Sequence, residues 1–225
     1  MTTKIKSTSL EDNIITTSHL HTNFSVDSDK IATNAIGPSE LDLTASYAFT
    51  GTVTGAGSMV KLLNASSVSG ATYDISSTYI NATYDRYKIY YYIKPVTDNT
   101  TVRIRFFIGG SIYDSQGYSH ETTSTNGTTQ TNEASDNIRI TYDGSGNGDG
   151  EGNSGWIELQ NVNNTSFPTC LTGMSNNYKN STHNLNYFSG ALVRTQNTSA
   201  VNGLRFYMSS GDIAAGKIQV YGIED

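Results

Sequence analysis

The chain has 225 residues, with 14 Lys and Arg against 20 Asp and Glu, giving a net charge of −6. Nearly half of it is Gly, Ser, Thr or Asn, only 15% is charged, and 15 Tyr stand against 1 Trp and 3 Pro. This balance argues against a helical bundle or an α/β enzyme built on long helices, leaves no basic footprint for nucleic acid, and offers no apolar run long enough to span a membrane.

The N-terminal stretch from Met1 to Leu10 has no apolar segment of the signal-peptide kind. Four hexads follow one another: Ile5–Leu10, Ile15–Leu20, Val26–Ile31 and Ile36–Leu41, each aliphatic at both ends and polar between. Asn13, Asn23 and Asn34 follow the first three at a constant offset. About one aliphatic residue in five cannot offset an ordering cost of ~1–2 kcal/mol per residue, so the segment calls for copies of itself or a larger assembly to dock on. Residues 1–44 therefore read as an extended attachment stalk, and residues 45–225 as a separate head. Within the stalk, His19 and His21 fall on one side of an extended chain. They are either two solvated histidines or, with three chains around an axis, six imidazoles suited to an octahedral transition metal.

Beyond Ala48 the period becomes two. Tyr87, Ile89, Tyr91 and Ile93 alternate with Lys88, Tyr90 and Tyr92, and Val102, Ile104, Phe106 and Ile108 alternate with Arg103 and Arg105. Pro95–Asn99 between them reads as a hairpin turn. Further strands are expected at Ser58–Leu63, Asn137–Tyr142, Trp156–Gln160, Leu185–Arg194, Gly203–Met208 and Lys217–Gly222. About eight short strands with many turns predict an all-β head, an antiparallel sandwich of the jelly-roll kind. Gly109–Asn132 reads as a long loop. Asp143–Gly155 alternates Gly with polar residues. Asp143, Asp149 and Glu151 are hard-oxygen candidates for calcium, but the repeat a β-roll site needs occurs once, so the stretch reads as a hairpin tip.

Nucleophilic catalysis needs a base beside the nucleophile, and the head offers only His120 and His183, both in polar surroundings. Cys170, the single cysteine, has no neighbouring His and reads as a half-buried small residue. No carboxylate pair stands out for glycoside hydrolysis. The expectation is a binding protein and not an enzyme. Tyrosine rings stack on sugar faces and their hydroxyls bond sugar hydroxyls. Tyr113, Tyr118 and Tyr178, in loop-like sequence, are the candidates for such a surface, weighed against rings simply packed on their neighbours.

Three stretches carry a resemblance: the Val26–Ile36 unit, the junction Leu41–Gly55 and the ending Asn202–Gly222. They resemble tail-fibre and related appendage proteins of tailed bacteriophages, marine and cyanobacterial ones especially. The resemblance implies a virion structural protein, located in the tail. It implies a homotrimer bound to other virion proteins through residues 1–44, with a β-sandwich head that contacts host-surface polysaccharide. It also implies iron, or another transition metal, on the trimer axis at His19 and His21. Alternatives are a capsid, neck or baseplate decoration or adaptor without a receptor and, with less support, a glycan depolymerase.

Overall fold

The computed structural model describes residues 59–124, 127–162, 164–192 and 200–224. The decad repeats, His19 and His21, and the boundary at residue 44 lie outside the described residues. Thirteen strands follow in chain order: β1 (Met59–Ala65), β2 (Thr72–Ile75), β3 (Arg86–Pro95), β4 (Val102–Ile108), β5 (Ser111–Ile112), β6 (Tyr118–Ser124) and β7 (Thr129–Ser135). Then come β8 (Ile138–Arg139), β9 (Gly152–Gln160), β10 (Cys170–Lys179), β11 (Thr182–Leu192), β12 (Val201–Met208) and β13 (Ile213–Ile223). The described residues contain no helix, and every strand pairing among them is antiparallel.

The strands form two sheets, one of eight in the order β1-β13-β3-β9-β10-β11-β6-β7 and one of five in which β8 flanks β4 and β2-β12-β4-β5 runs across. The layers β1-β13-β3-β9 and β2-β12-β4-β8 have the winding of a jelly roll, with successive strands alternating between sheets. Two insertions account for the remaining strands among the described residues. The strands β5–β7 leave after β4, and β10 and β11 leave after β9. Four of these five strands join the first sheet and double its width.

The core follows from period-two patterning. Tyr87, Ile89, Tyr91 and Ile93 of β3 are buried while Tyr90 and Tyr92 are exposed. Val102, Ile104 and Phe106 of β4 are buried against them in one continuous cluster. The Tyr91 ring meets Phe206 of β12 with centroids 5.5 Å apart, joining the two sheets.

Three expectations need correction. Pro95–Asn99 is not a hairpin turn: β3 lies in the first sheet and β4 in the second, so the connection arches across the sandwich. Asn99 takes φ 60° there, which Asn tolerates, and its N–H donates to Ser145 O at 3.0 Å. Gly109–Asn132 is not a loop but contains β5, β6 and the start of β7. Asn137–Tyr142 supplies only the two-residue β8. The rest of that segment is irregular and is held by side chains. Thr122 Oγ1 donates to Arg139 O at 2.6 Å, Ser175 Oγ to Ile140 O at 2.9 Å, and Asn177 Nδ2 to Asp143 O at 3.1 Å and Gly144 O at 3.0 Å. Buried polar groups on β6 and β10 thus serve carbonyls that no ladder reaches.

Candidate binding face

Two of the three candidate tyrosines, Tyr113 and Tyr118, meet, and Tyr178 lies far from both. Tyr118 is corrected outright: it is 0% exposed, on an inward position of β6. Its hydroxyl accepts from Phe106 N–H at 2.8 Å and donates to Tyr113 O at 2.8 Å. Burial raises the phenol's pKa, keeping it a donor. Tyr113 is half-buried, packs edge-on against Tyr118 at 5.7 Å and donates to Gln116 O at 3.2 Å. Tyr178 lies on β10, half-buried, stacked on His183 with centroids 4.2 Å apart. Tyr118 lies opposite Leu192 and Tyr178 opposite His183. That separates them by about 30 Å of β11, at ~3.4 Å per residue.

The three acids weighed for calcium turn to different partners. Asp143 Oδ2 accepts from Asn184, Asp149 pairs with Lys94 at 3.6 Å, and Glu151 accepts from the N–H groups of Gly148 at 2.7 Å and Asn180 at 2.5 Å. These two N–H groups hold the Glu151 carboxyl below its ordinary range. Cys170 is half-buried with its thiol pKa raised by burial. His120 is buried, with neither ring nitrogen given a side-chain or backbone partner at hydrogen-bond geometry. Burial lowers its pKa, and the guanidinium groups of Arg139 and Arg103 lower it further.

The outer face of the eight-stranded sheet gathers what sequence order scattered. Register places Asn64, Gln219, Tyr90, Trp156, Met174, Tyr187, Thr123 and Thr129 in one row across all eight strands. A second row, two residues along on every strand but β1, where a bulge makes it three, runs Lys61, Tyr221, Lys88, Glu158, Thr172, Ser189, Glu121 and Thr131. On the other side Lys217 pairs with Tyr92, and Tyr92 with Ser154. Tyr90, Tyr92, Leu185 and Tyr187 are 40%, 36%, 38% and 57% exposed. From Tyr90 to Tyr187 is three strand steps, about 14 Å at ~4.8 Å per step.

Two features show how the rings are held. Tyr90 meets Tyr221 edge-on, with centroids 5.9 Å apart at 88°. The Lys88 ammonium sits 3.3 Å from the centre of the Trp156 ring and 3.5 Å from Glu158, which also lies 3.6 Å from Arg86. Beside the aromatic row, small side chains leave a depression of about 410 Å³. Ser119, Glu121, Thr131, Thr172, Ser189 and Ala191 line it. The face therefore combines flat rings, hydroxyls and two carboxylates, Glu121 and Glu158, a set suited to a polyhydroxylated ligand.

Sequence reasoning saw the outward positions of Tyr90 and Tyr92 in the alternation of β3. It missed Trp156, Met174 and Tyr187, because only strand pairing puts them in the same row. One signal was available in β10 and β11. Ser175, Asn177 and Asn186 point inward while Met174, Leu185 and Tyr187 point outward, the reverse of ordinary patterning.

In comparisons with family models, with curated proteins and with solved structures, nothing matches this chain.

Proposed function

We propose that this chain is a recognition protein of a virion appendage, and that its jelly-roll head holds host-surface polysaccharide on the outer face of the eight-stranded sheet. The resemblance of the N-terminal units and the C-terminal strands to phage appendage proteins supports the first part. The single observation that carries the second is the row of rings, Tyr90 and Tyr187 foremost, exposed beside a hydroxyl-lined depression. Exposed aromatic rings in line, separated by more than one sugar ring, suit a polymer better than a monosaccharide. In this reading residues 1–44 attach the chain to the particle, and three copies pack around an axis that carries His19 and His21. The head binds and does not cleave.

The test is binding of the full chain to an array of bacterial surface polysaccharides and to host cells, beside Tyr90→Ala/Tyr187→Ala. Two stacking rings at ~0.5–1.5 kcal/mol each give an expected loss of about tenfold. Both side chains stand outside the core, so the variant should stay folded and its melting should fall by no more than a few degrees, the scale of the lost Tyr90–Tyr221 contact at ~0.5–1.5 kcal/mol. Unchanged binding, or binding to virion proteins alone through this face, would refute the receptor reading and leave a decoration protein. Reducing-sugar release would make it a depolymerase. Mass measurement at micromolar concentration tests the trimer, and elemental analysis of the purified assembly tests the axial metal.

A further inference from the structure

The four strands β1, β13, β3 and β9 carry Lys61, Lys217, Arg86, Lys88 and Lys94 but a single acid, Glu158. All five cations occupy outward positions. The chain as a whole is acidic, with a net charge of −6, so this half-face runs against the balance of the molecule. Local compensation is incomplete. Glu158 is shared between Arg86 and Lys88, and Lys94 meets Asp149, whose carboxylate is fully open to water. Lys61 stands 5.8 Å above the Tyr221 ring, and Lys217 is exposed beside Tyr92. On the opposite sheet, by contrast, Arg205 holds Asp74 through two bonds of 2.6 and 2.7 Å, and Arg105 holds Asp136.

Cations interleaved with tyrosine rings at this spacing act together. Lys61 and Lys88 lie two strand steps apart, about 10 Å at ~4.8 Å per step, and Lys217 lies about 14 Å from either, so their fields overlap most at low salt, where the Debye length exceeds its ~8 Å at physiological ionic strength. Trp156 steadies Lys88, since its ring attracts the ammonium and fixes where the charge sits. Resting on the polysaccharide reading above, we infer that the polymer bound here is anionic, bearing carboxylate or sulfate groups. Its sugar rings lie along Tyr90, Tyr92 and Tyr187, and its charges fall at Lys88, Lys217 and Lys61. The hydroxyl-rich half at Thr172, Ser189 and Thr131 takes the uncharged part of the repeat.

The experiment measures affinity of the full chain for dextran, dextran sulfate, alginate and single-stranded DNA. The expected result is that dextran sulfate and alginate bind about tenfold or more tighter than dextran. The preference should fade as salt rises from about 0.1 to about 1 M, where the Debye length shortens from ~10 to ~3 Å. Lys88→Gln/Lys217→Gln should cost roughly two- to tenfold for the anionic polymers, the scale of two exposed ion pairs, and leave dextran unchanged. Tyr90→Ala should weaken all three polysaccharides. Dextran binding as tightly as its sulfate overturns the anionic assignment and leaves the polysaccharide reading standing. Single-stranded DNA binding as tightly as dextran sulfate overturns the choice of polymer. No polysaccharide binding, here or on the array, removes both readings.

Discussion

Tyr118→Phe isolates one hydroxyl in the core. Along the free side of β4, β8 pairs only as far as Ile104, and β5 begins opposite Phe107. The Phe106 N–H falls in the gap, and the Tyr118 hydroxyl fills it at 2.8 Å while donating onward to Tyr113 O. Phenylalanine keeps the ring and its 5.7 Å packing on Phe106, so no cavity opens. What is lost is the acceptor for a buried N–H, about 1–3 kcal/mol, plus a smaller amount at the Tyr113 carbonyl, nearer the surface. A total of about 2–3 kcal/mol lowers the melting midpoint by roughly 5–10 °C for a domain of this size. Thermal and urea denaturation followed by circular dichroism measure it. Tyr113→Phe is the control: its hydroxyl makes one exposed bond at 3.2 Å, worth under about 0.5 kcal/mol. A Tyr118→Phe midpoint no lower than that of Tyr113→Phe would refute the ladder-plug reasoning. Unchanged melting with lost polysaccharide binding would return Tyr118 to the recognition surface.

Asn177→Ala strips two donors from the buried carbonyls of Asp143 and Gly144, and should cost about 2–3 kcal/mol in urea denaturation and speed proteolysis between residues 143 and 151. The His120 pKa in the folded chain lies below its ordinary value of about 6.5, because burial and then Arg139 and Arg103 oppose its charge. The unfolded chain therefore binds the proton first. The stability contribution is complete above about pH 6.5 and declines as pH falls through the folded pKa. Melting at stepped pH should show that decline, and His120→Leu should lack it. Glu151 has the carboxylate form of the same linkage, its pKa lowered by N–H bonds from Gly148 and Asn180. Its bonds are intact above the unfolded pKa of about 4.3 and are lost as pH falls through the folded one. Amide exchange at Gly148 and Asn180 should accelerate there, whereas Glu151→Gln should exchange faster already at neutral pH with little added change in acid.

The sandwich was legible in the strands whose inner face is apolar. In β3, β4, β12 and β13 the buried set is dominated by Ile, Val, Phe, Leu and Tyr, and alternation shows it directly. It was illegible in β6, β7 and β10, because β6 and β10 bury Thr122, Ser124, Ser175 and Asn177, which hydropathy assigns to loops. The burial of Thr122, Ser175 and Asn177 is stabilised by carbonyls of residues 139–144, distant in sequence. The Pro95–Asn99 connection shows another limit: the residues that turn a hairpin also turn an arch, and only the partners of β3 and β4 decide between them. For the same reason the candidate face was half visible. Tyr90 and Tyr92 share a strand, but Tyr90 and Tyr187 share a row only because β9 and β10 lie between β3 and β11.

The inverted patterning of β10 and β11 ties the core to the face. A slip of one residue would bury Met174, Leu185 and Tyr187 and expose Ser175, Asn177 and Asn186. Hydrophobicity alone does not decide between the registers, because the same slip would expose Leu171, Phe188 and Leu192, each worth roughly 1.5–3 kcal/mol when fully buried. The observed register wins because the irregular segment over these strands needs donors. Asn186 Oδ1 also accepts from Tyr142 N–H at 3.1 Å, and Asn186 Nδ2 donates to Ser175 Oγ at 3.2 Å. Gly173 enforces the choice: a Cβ there would stand 2.2 Å from Trp156 O and 2.4 Å from the Phe188 ring, so that inward position admits no larger residue without a shift. The polar inner face and the aromatic outer face are therefore one arrangement. The Ser and Asn content that hides these strands from hydropathy releases Met174, Leu185 and Tyr187 to the surface, where the proposed ligand meets them.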